Sequence, residues 1–198
     1  MIILEYMKED QIDIVNQYIN KEREEILMES SNIHFCRPLQ RLMEEHVVLR
    51  KDMDLFYEIT EEIELESGTV LVELFTKLHE QISLFAYKLK AHSKLEEEGL
   101  FPLMAPHLGE TDQILETMEF EHKKAEEHLQ DFLSEAETCG SSIDENDVQW
   151  IALHAFRAHA TLTQHFAKEE KVLFPLAEKI LSIEEKQELE RLFHTISS

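Results

Sequence analysis

The sequence predicts an all-α protein, an up-down four-helix bundle with an extra N-terminal helix and a short C-terminal helix. Three observations carry this. The 198 residues contain only 4 Gly and 4 Pro, while Glu, Leu, Lys and Ile are abundant, a composition suited to long helices. Apolar residues recur at alternating spacings of three and four along four long segments, as on helices packed side by side. Turn or capping signals separate those segments.

Taken in order, residues 9–29 are expected to form an amphipathic helix, with Ile12, Val15, Ile19 and Ile26 on one stripe. It is read as a cover helix, with a contact surface as the alternative. With the linker that follows it makes an N-terminal segment, 1–35. Pro38 suits the first turn of the next helix, whose seam is Leu39, Leu42, His46, Leu49, Met53, Phe56 and Ile63. Ser67-Gly68-Thr69 marks its turn. The second seam is Leu71, Phe75, Leu78, Ile82, Phe85, Leu89, His92 and Glu96, and Gly99, Pro102, Pro106 and Gly109 should break that helix. The third helix starts near Thr111 and carries Leu115, Met118, His122, Ala125, Leu129, Phe132 and Ala136, with Gly140 as its C-cap. Ser142 to Glu145 has the form of a capping box opening the fourth. That seam is Ile151, Ala155, Ala158, Leu162, His165, Glu169, Val172 and Leu176, kinked or interrupted by Pro175. The bundle thus spans 36–181. Ser182 to Glu185 repeats the capping-box pattern and opens the last helix, within 182–198. Trp150 is expected in the core.

The formal net charge of −23 argues against nucleic acid, whose phosphates need clustered Lys and Arg, and against an anionic membrane surface. The first residues lack the basic and apolar regions of a secretory signal, and no stretch approaches 18 apolar residues. Cys36 and Cys139 lie far apart in sequence and read as free thiols in a reducing cytoplasm.

The chemistry concentrates in two copies of one pattern. Residues 92–102 read HSKLEEEGLFP and residues 165–175 read HFAKEEKVLFP. Each has a His, a Glu four residues on, then Leu-Phe-Pro. On a helix, positions i and i+4 share a face, so imidazole and carboxylate can reach one ion. With His46 and His122, four histidines and two glutamates occupy seam positions where a bundle expects Leu or Ile. Two buried carboxylates beside four imidazoles make a costly core unless a cation lies between them. The levels agree. His46 is 22 residues before Gly68 and His92 is 24 after it; His92 and His122 lie 15 residues either side of position 107. His122 and His165 flank the next turn about equally. With a rise of 1.5 Å per residue, antiparallel regular helices bring all four to one layer.

His46, His92, Glu96, His122, His165 and Glu169 are therefore the candidate metal ligands. Two related halves imply two metals, with two His per metal and both Glu able to bridge. A single His-x-x-x-Glu is weak evidence, because Asp and Glu make up 42 of 198 residues. Two copies on seams with Leu-Phe-Pro at one offset are strong. Histidine with carboxylate suits non-haem iron, among other ions. No separate catalytic residue stands out. His79, His128, His154 and His159 fall one position off their seams, and His34, His107 and His194 in loops or near the terminus. All seven read as surface or boundary residues. Glu126 could serve as an outer acid or extra ligand, and Glu45 and Glu121 are expected to face a neighbouring helix or solvent. Tyr87 reads as packing.

At these residues the chain resembles the hemerythrin-like (HHE cation-binding) family, over about 36–181. The resemblance implies a hemerythrin-like bundle in which those six side chains ligate a di-iron centre, two iron ions with an oxo or hydroxo bridge. Oxygen-carrying members typically have five His, a Glu and an Asp. The four-His, two-Glu layout here looks more like di-iron proteins that repair iron–sulfur clusters under nitrosative or oxidative stress. Those often carry an N-terminal Cys-containing domain, whereas no Cys pair precedes this bundle. Two functional classes stay open. One is redox chemistry on O2, NO or peroxide, or iron delivery to damaged clusters. The other is non-catalytic O2 or iron sensing, carriage or storage, with the charged surface and flanking helices serving a protein partner or a second copy.

Overall fold

The computed structural model describes residues 33–109, 113–139 and 144–197. The helix expected over 9–29, Gly140 and Ser142 lie outside them. The described residues are all-α, with no strand among them. Four long helices carry the architecture: α1 Arg37–Ile63, α2 Gly68–Leu95, α4 Ile114–Cys139 and α5 Glu145–Lys168. Three shorter ones complete it: α3 Phe101–Met104, α6 Phe174–Ile180 and α7 Ile183–Ile196. Helix α1 packs against α2 and α5, and α4 against α5 and α2, giving the four-cornered bundle that short antiparallel connections favour. Among the described residues, no helix is long and apolar enough to cross a membrane.

The seams fold as their periodicity requires. Every seam residue expected on α1 and α2 is buried, and so are those of α5 through Glu169. On α4, Met118 through Phe132 are buried, while Leu115 and Ala136 at its ends are half-exposed. The apolar end of the bundle is built around Phe56, Phe85 and Phe132, with Phe56 and Phe85 meeting edge to face at 5.1 Å between centroids. Such pairs add about 0.5–1.5 kcal/mol beyond area burial.

Several local expectations are corrected. α1 ends at Ile63, before the Ser67-Gly68-Thr69 signal, and Gly68 adopts φ 62° as it opens α2. That left-handed conformation favours glycine. The N-cap of α5 is Asp144, which exchanges hydrogen bonds with Asp147 in a reciprocal box; the pattern is shifted two residues from Ser142–Glu145. The Ser182–Glu185 box forms as expected. Trp150 is 61% exposed, because it sits beside Ile151 and faces away from the seam.

The largest correction concerns the prolines. Gly99 and Pro102 do not break the helix after α2. The chain passes through a π-helical turn, Glu96–Leu100, into α3, and ends only in the 3-10 turn Ala105–His107. Glu169–Leu173 is the matching π turn before α6. In each, one N–H skips a residue: Phe101 donates to Glu96 O and Phe174 to Glu169 O. A mid-helix proline lacks an N–H and clashes with the carbonyl four residues back. Widening the turn by one residue relieves that clash. It also shifts the buried face by one position. Leu173, Phe174 and Ala177 are buried, whereas Val172, expected on the seam, is 47% exposed and Leu176 is half-exposed.

Candidate metal centre

The two π turns begin at Glu96 and Glu169, the two glutamates singled out by sequence. Both are fully buried, and His46, His92, His122 and His165 are at most 2% exposed. All six meet in one layer, as the counting of levels predicted. They form two overlapping groups: His46, His92, Glu96 and Glu169, and Glu96, His122, His165 and Glu169. Within each, one ligand atom per residue lies within 4.8 Å of every other. Both carboxylates are shared by the two groups.

The imidazoles point their Nε2 atoms inward. His46 Nε2 is 3.0 Å from His92 Nε2 and 3.2 Å from Glu169 Oε2. Glu96 Oε2 lies 3.6 Å from His92 Nε2 and 3.3 Å from His122 Nε2. Glu169 Oε1 is 2.9 Å from His165 Nε2 and 3.7 Å from His122 Nε2. These approaches lack hydrogen-bond alignment for both carboxylates: all four oxygens of Glu96 and Glu169, with Nε2 of His122 and His165, are buried without a hydrogen-bond partner. Orphaned buried polar atoms are rare in folded proteins. Six converging on one space form a donor set that a cation satisfies.

Every Nδ1 is turned outward onto a carboxylate. His46 faces Glu170 at 2.9 Å, His92 faces Glu45 at 3.0 Å, His122 faces Glu97 at 2.7 Å and His165 faces Glu121 at 3.2 Å. A proton held on Nδ1 by an acid leaves the Nε2 lone pair directed into the cavity, the tautomer a metal requires. Three of these acids are anchored in turn. Arg41 holds Glu45 at 2.9 Å, Arg50 holds Glu170 at 2.9 Å and Lys168 pairs with Glu121. Burial alone would raise Glu170, but its bonds to His46 and Arg50 outweigh that and keep it ionised below the usual carboxylate range.

The repeated motif acts across the two halves. Glu97 and Phe101 of the first copy both meet His122, whose ring is stacked on Phe101 at 6.0 Å and 11°. Glu170 and Phe174 of the second both meet His46, with ring centroids 5.4 Å apart. Each Leu-Phe-Pro segment therefore supports a histidine of the other half. The electrostatics carry one message. Burial disfavours a charged His46, but the close Glu169 carboxylate, the hydrogen bond to Glu170 and the Glu96 charge push it up to about 9. The same contest, with Glu169, Glu96 and Glu97 against burial, pushes His122 up to about 12. The buried carboxylates demand positive charge beside them.

Sequence reasoning missed the outer acids Glu97 and Glu170; their signal was the Glu-Glu doublet in both copies. Glu45 and Glu121 do face a neighbouring helix, and there each binds its histidine. Glu126 is exposed, which removes it as a ligand or outer acid. His154 is buried, 8% exposed, deeper than the surface or boundary position expected.

A four-helix bundle with two overlapping buried His/Glu groups is the architecture of a bundle metalloprotein, and the centre fits metal binding. The chain belongs to the hemerythrin HHE cation-binding domain family, whose model matches residues 37–177. No curated protein matches the chain.

Proposed function

We propose that this is a non-haem di-iron protein in which His46, His92, Glu96, His122, His165 and Glu169 hold two iron ions, with Glu96 and Glu169 shared between them. One observation carries the reading: the two carboxylates belong to both ligand groups, and their four oxygens are buried without hydrogen bonds. The imidazole and carboxylate donor set suits iron, and an iron pair would supply electron exchange and an open position for a small diatomic ligand, O2 or NO.

The chain's residues define what surrounds such a ligand. Phe166 stacks on His46 at 4.2 Å and contacts His92 and His165, so it excludes water from the His46 and His92 side. A groove of about 600 Å3 between α1 and α2 reaches Glu45 and His92, a route by which a small molecule approaches the centre. The carboxylates on Nδ1 hold the imidazole tautomer and let each histidine keep its aim when the charge at the centre changes. The reading places the protein in a reducing, cytoplasmic setting, in keeping with the free thiol of Cys36, and in nitrosative or oxidative stress defence, including cluster repair.

Metal content per chain of anaerobically purified protein tests the first part. About two irons are expected; little metal that added ferrous iron does not restore overturns the reading. Anaerobic stopped-flow mixing of the reduced protein with O2 or NO tests the second. Catalytic NO consumption supports the stress-defence role, reversible O2 binding supports carriage or sensing, and no spectral change with either gas overturns both.

A further inference from the structure

A second set of metal-ligating side chains lies away from this centre. His128 and Asp131 stand at i, i+3 on α4 and share a face. His154 comes from the facing helix α5. One ligand atom from each lies within 4.8 Å of the others. His128 is six residues beyond His122, about 9 Å of helix rise, so the cluster shares no ligand with the centre.

His154 carries the argument. Its side chain is 10% exposed, and Nδ1 is buried without a hydrogen-bond partner. That atom faces Asp131 Oδ2 at 3.7 Å, and Nε2 lies 3.5 Å from Glu135 Oε1. The ring centroid of His128 is 6.4 Å away. A buried imidazole nitrogen left without a partner is costly. Burial, then the proximity of His154, holds His128 below its usual range, so it presents a neutral ring with a lone pair. Lys124 and Arg157 lie near His128, and Asp131 opposes them.

We propose that His128, Asp131 and His154 form a mononuclear site for a divalent transition metal of the Zn2+ type, joining α4 to α5. Two imidazoles and one carboxylate are a familiar zinc donor set, with bonds of about 2.0–2.1 Å. The partners draw inward from their present spacing by side-chain rotation, for which Asp131, 57% exposed, is free. Water takes the fourth position, and Glu135 beside Nε2 holds the His154 proton on the side away from the metal.

Equilibrium dialysis of the full-length protein against micromolar Zn2+, followed by elemental analysis, tests this. Wild type is expected to take up one more zinc per chain than either His128→Asn or Asp131→Asn. Zinc should raise the melting temperature of wild type by more than that of either variant, which keep the main centre. Both substitutions fall on partly exposed or exposed side chains, and unchanged metal-free melting confirms that the variants fold. Uptake equal in wild type and both variants, whether zinc binds all three or none, overturns the proposal.

Discussion

Residues 92–102 and 165–175 make the same contacts in different surroundings. Each supplies a histidine, a shared carboxylate, an outer acid and a phenylalanine to the buried His/Glu layer. Of the five matched positions at which they differ, two change what surrounds the layer. Where the first copy has Ser93, the second has Phe166, which packs on three of the four histidines. Where the first has Gly99, the second has Val172. A Cβ on Gly99 would lie 2.9 Å from Phe193 Cε1, because α7 packs against the first π turn. Val172 meets no such cover and is 47% exposed. The symmetry holds for the histidine, the two acids and Leu-Phe-Pro, and lapses at Phe166 and where the C-terminal helix docks.

The two buried carboxylates offer the largest test of that comparison. Glu169 approaches His46, His122 and His165, whereas Glu96 approaches only His92 and His122. Outer-sphere partners alone are worth about 10–100-fold in metal affinity, so losing either glutamate should cost more than about 100-fold, and Glu169→Ala more than Glu96→Ala. Competition with a calibrated chelator measures both. Equal losses would mean that the halves carry the metals alike despite their unequal contacts.

Exchanging the divergent residues should have a smaller, one-sided effect. Gly99→Val is expected to destabilise by about 1–3 kcal/mol through overpacking against Phe193. Val172→Gly should cost only about 0.5–1 kcal/mol, the backbone penalty of glycine in a helix. Urea midpoints at constant slope report both; a Gly99→Val variant as stable as wild type would show that α7 docks loosely.

The smallest effect concerns the junction where α7 joins the bundle. Glu178 on α6 accepts the Cys36 backbone N–H at 2.6 Å and the Lys186 ammonium at 2.6 Å. Burial acts to raise its pKa, but these partners outweigh burial and lower it. A depressed carboxylate contributes stability above its unfolded value, about 4.5, and loses it as pH falls toward the folded value. Glu178→Gln should therefore be less stable than wild type at about pH 7, with the gap closing below about pH 4. A gap unchanged with pH would assign the loss to packing.

The parts legible in advance were those that depend on period and count. Fold class, four seams and six converging side chains follow from spacings of three and four, since a regular helix maps position onto face. The π turns were not legible, because proline allows both a break and a widened turn. Packing of Phe101 and Phe174 on histidines of the opposite half selects the second. That choice moved Val172 to the surface. Trp150 and His154 show the same limit, as each sits beside a seam where one helical position separates core from solvent.

The sequence by itself determined the bundle, the repeat and the identity of the six residues, because local periodicity requires no knowledge of neighbours. Only the tertiary structure decided that Glu45, Glu97, Glu121 and Glu170 each orient a histidine on another element, that Gly99 is the landing point of α7, and that His128, Asp131 and His154 meet. Those pairings depend on the rotation of one helix about another, which side chains far apart in the chain fix together.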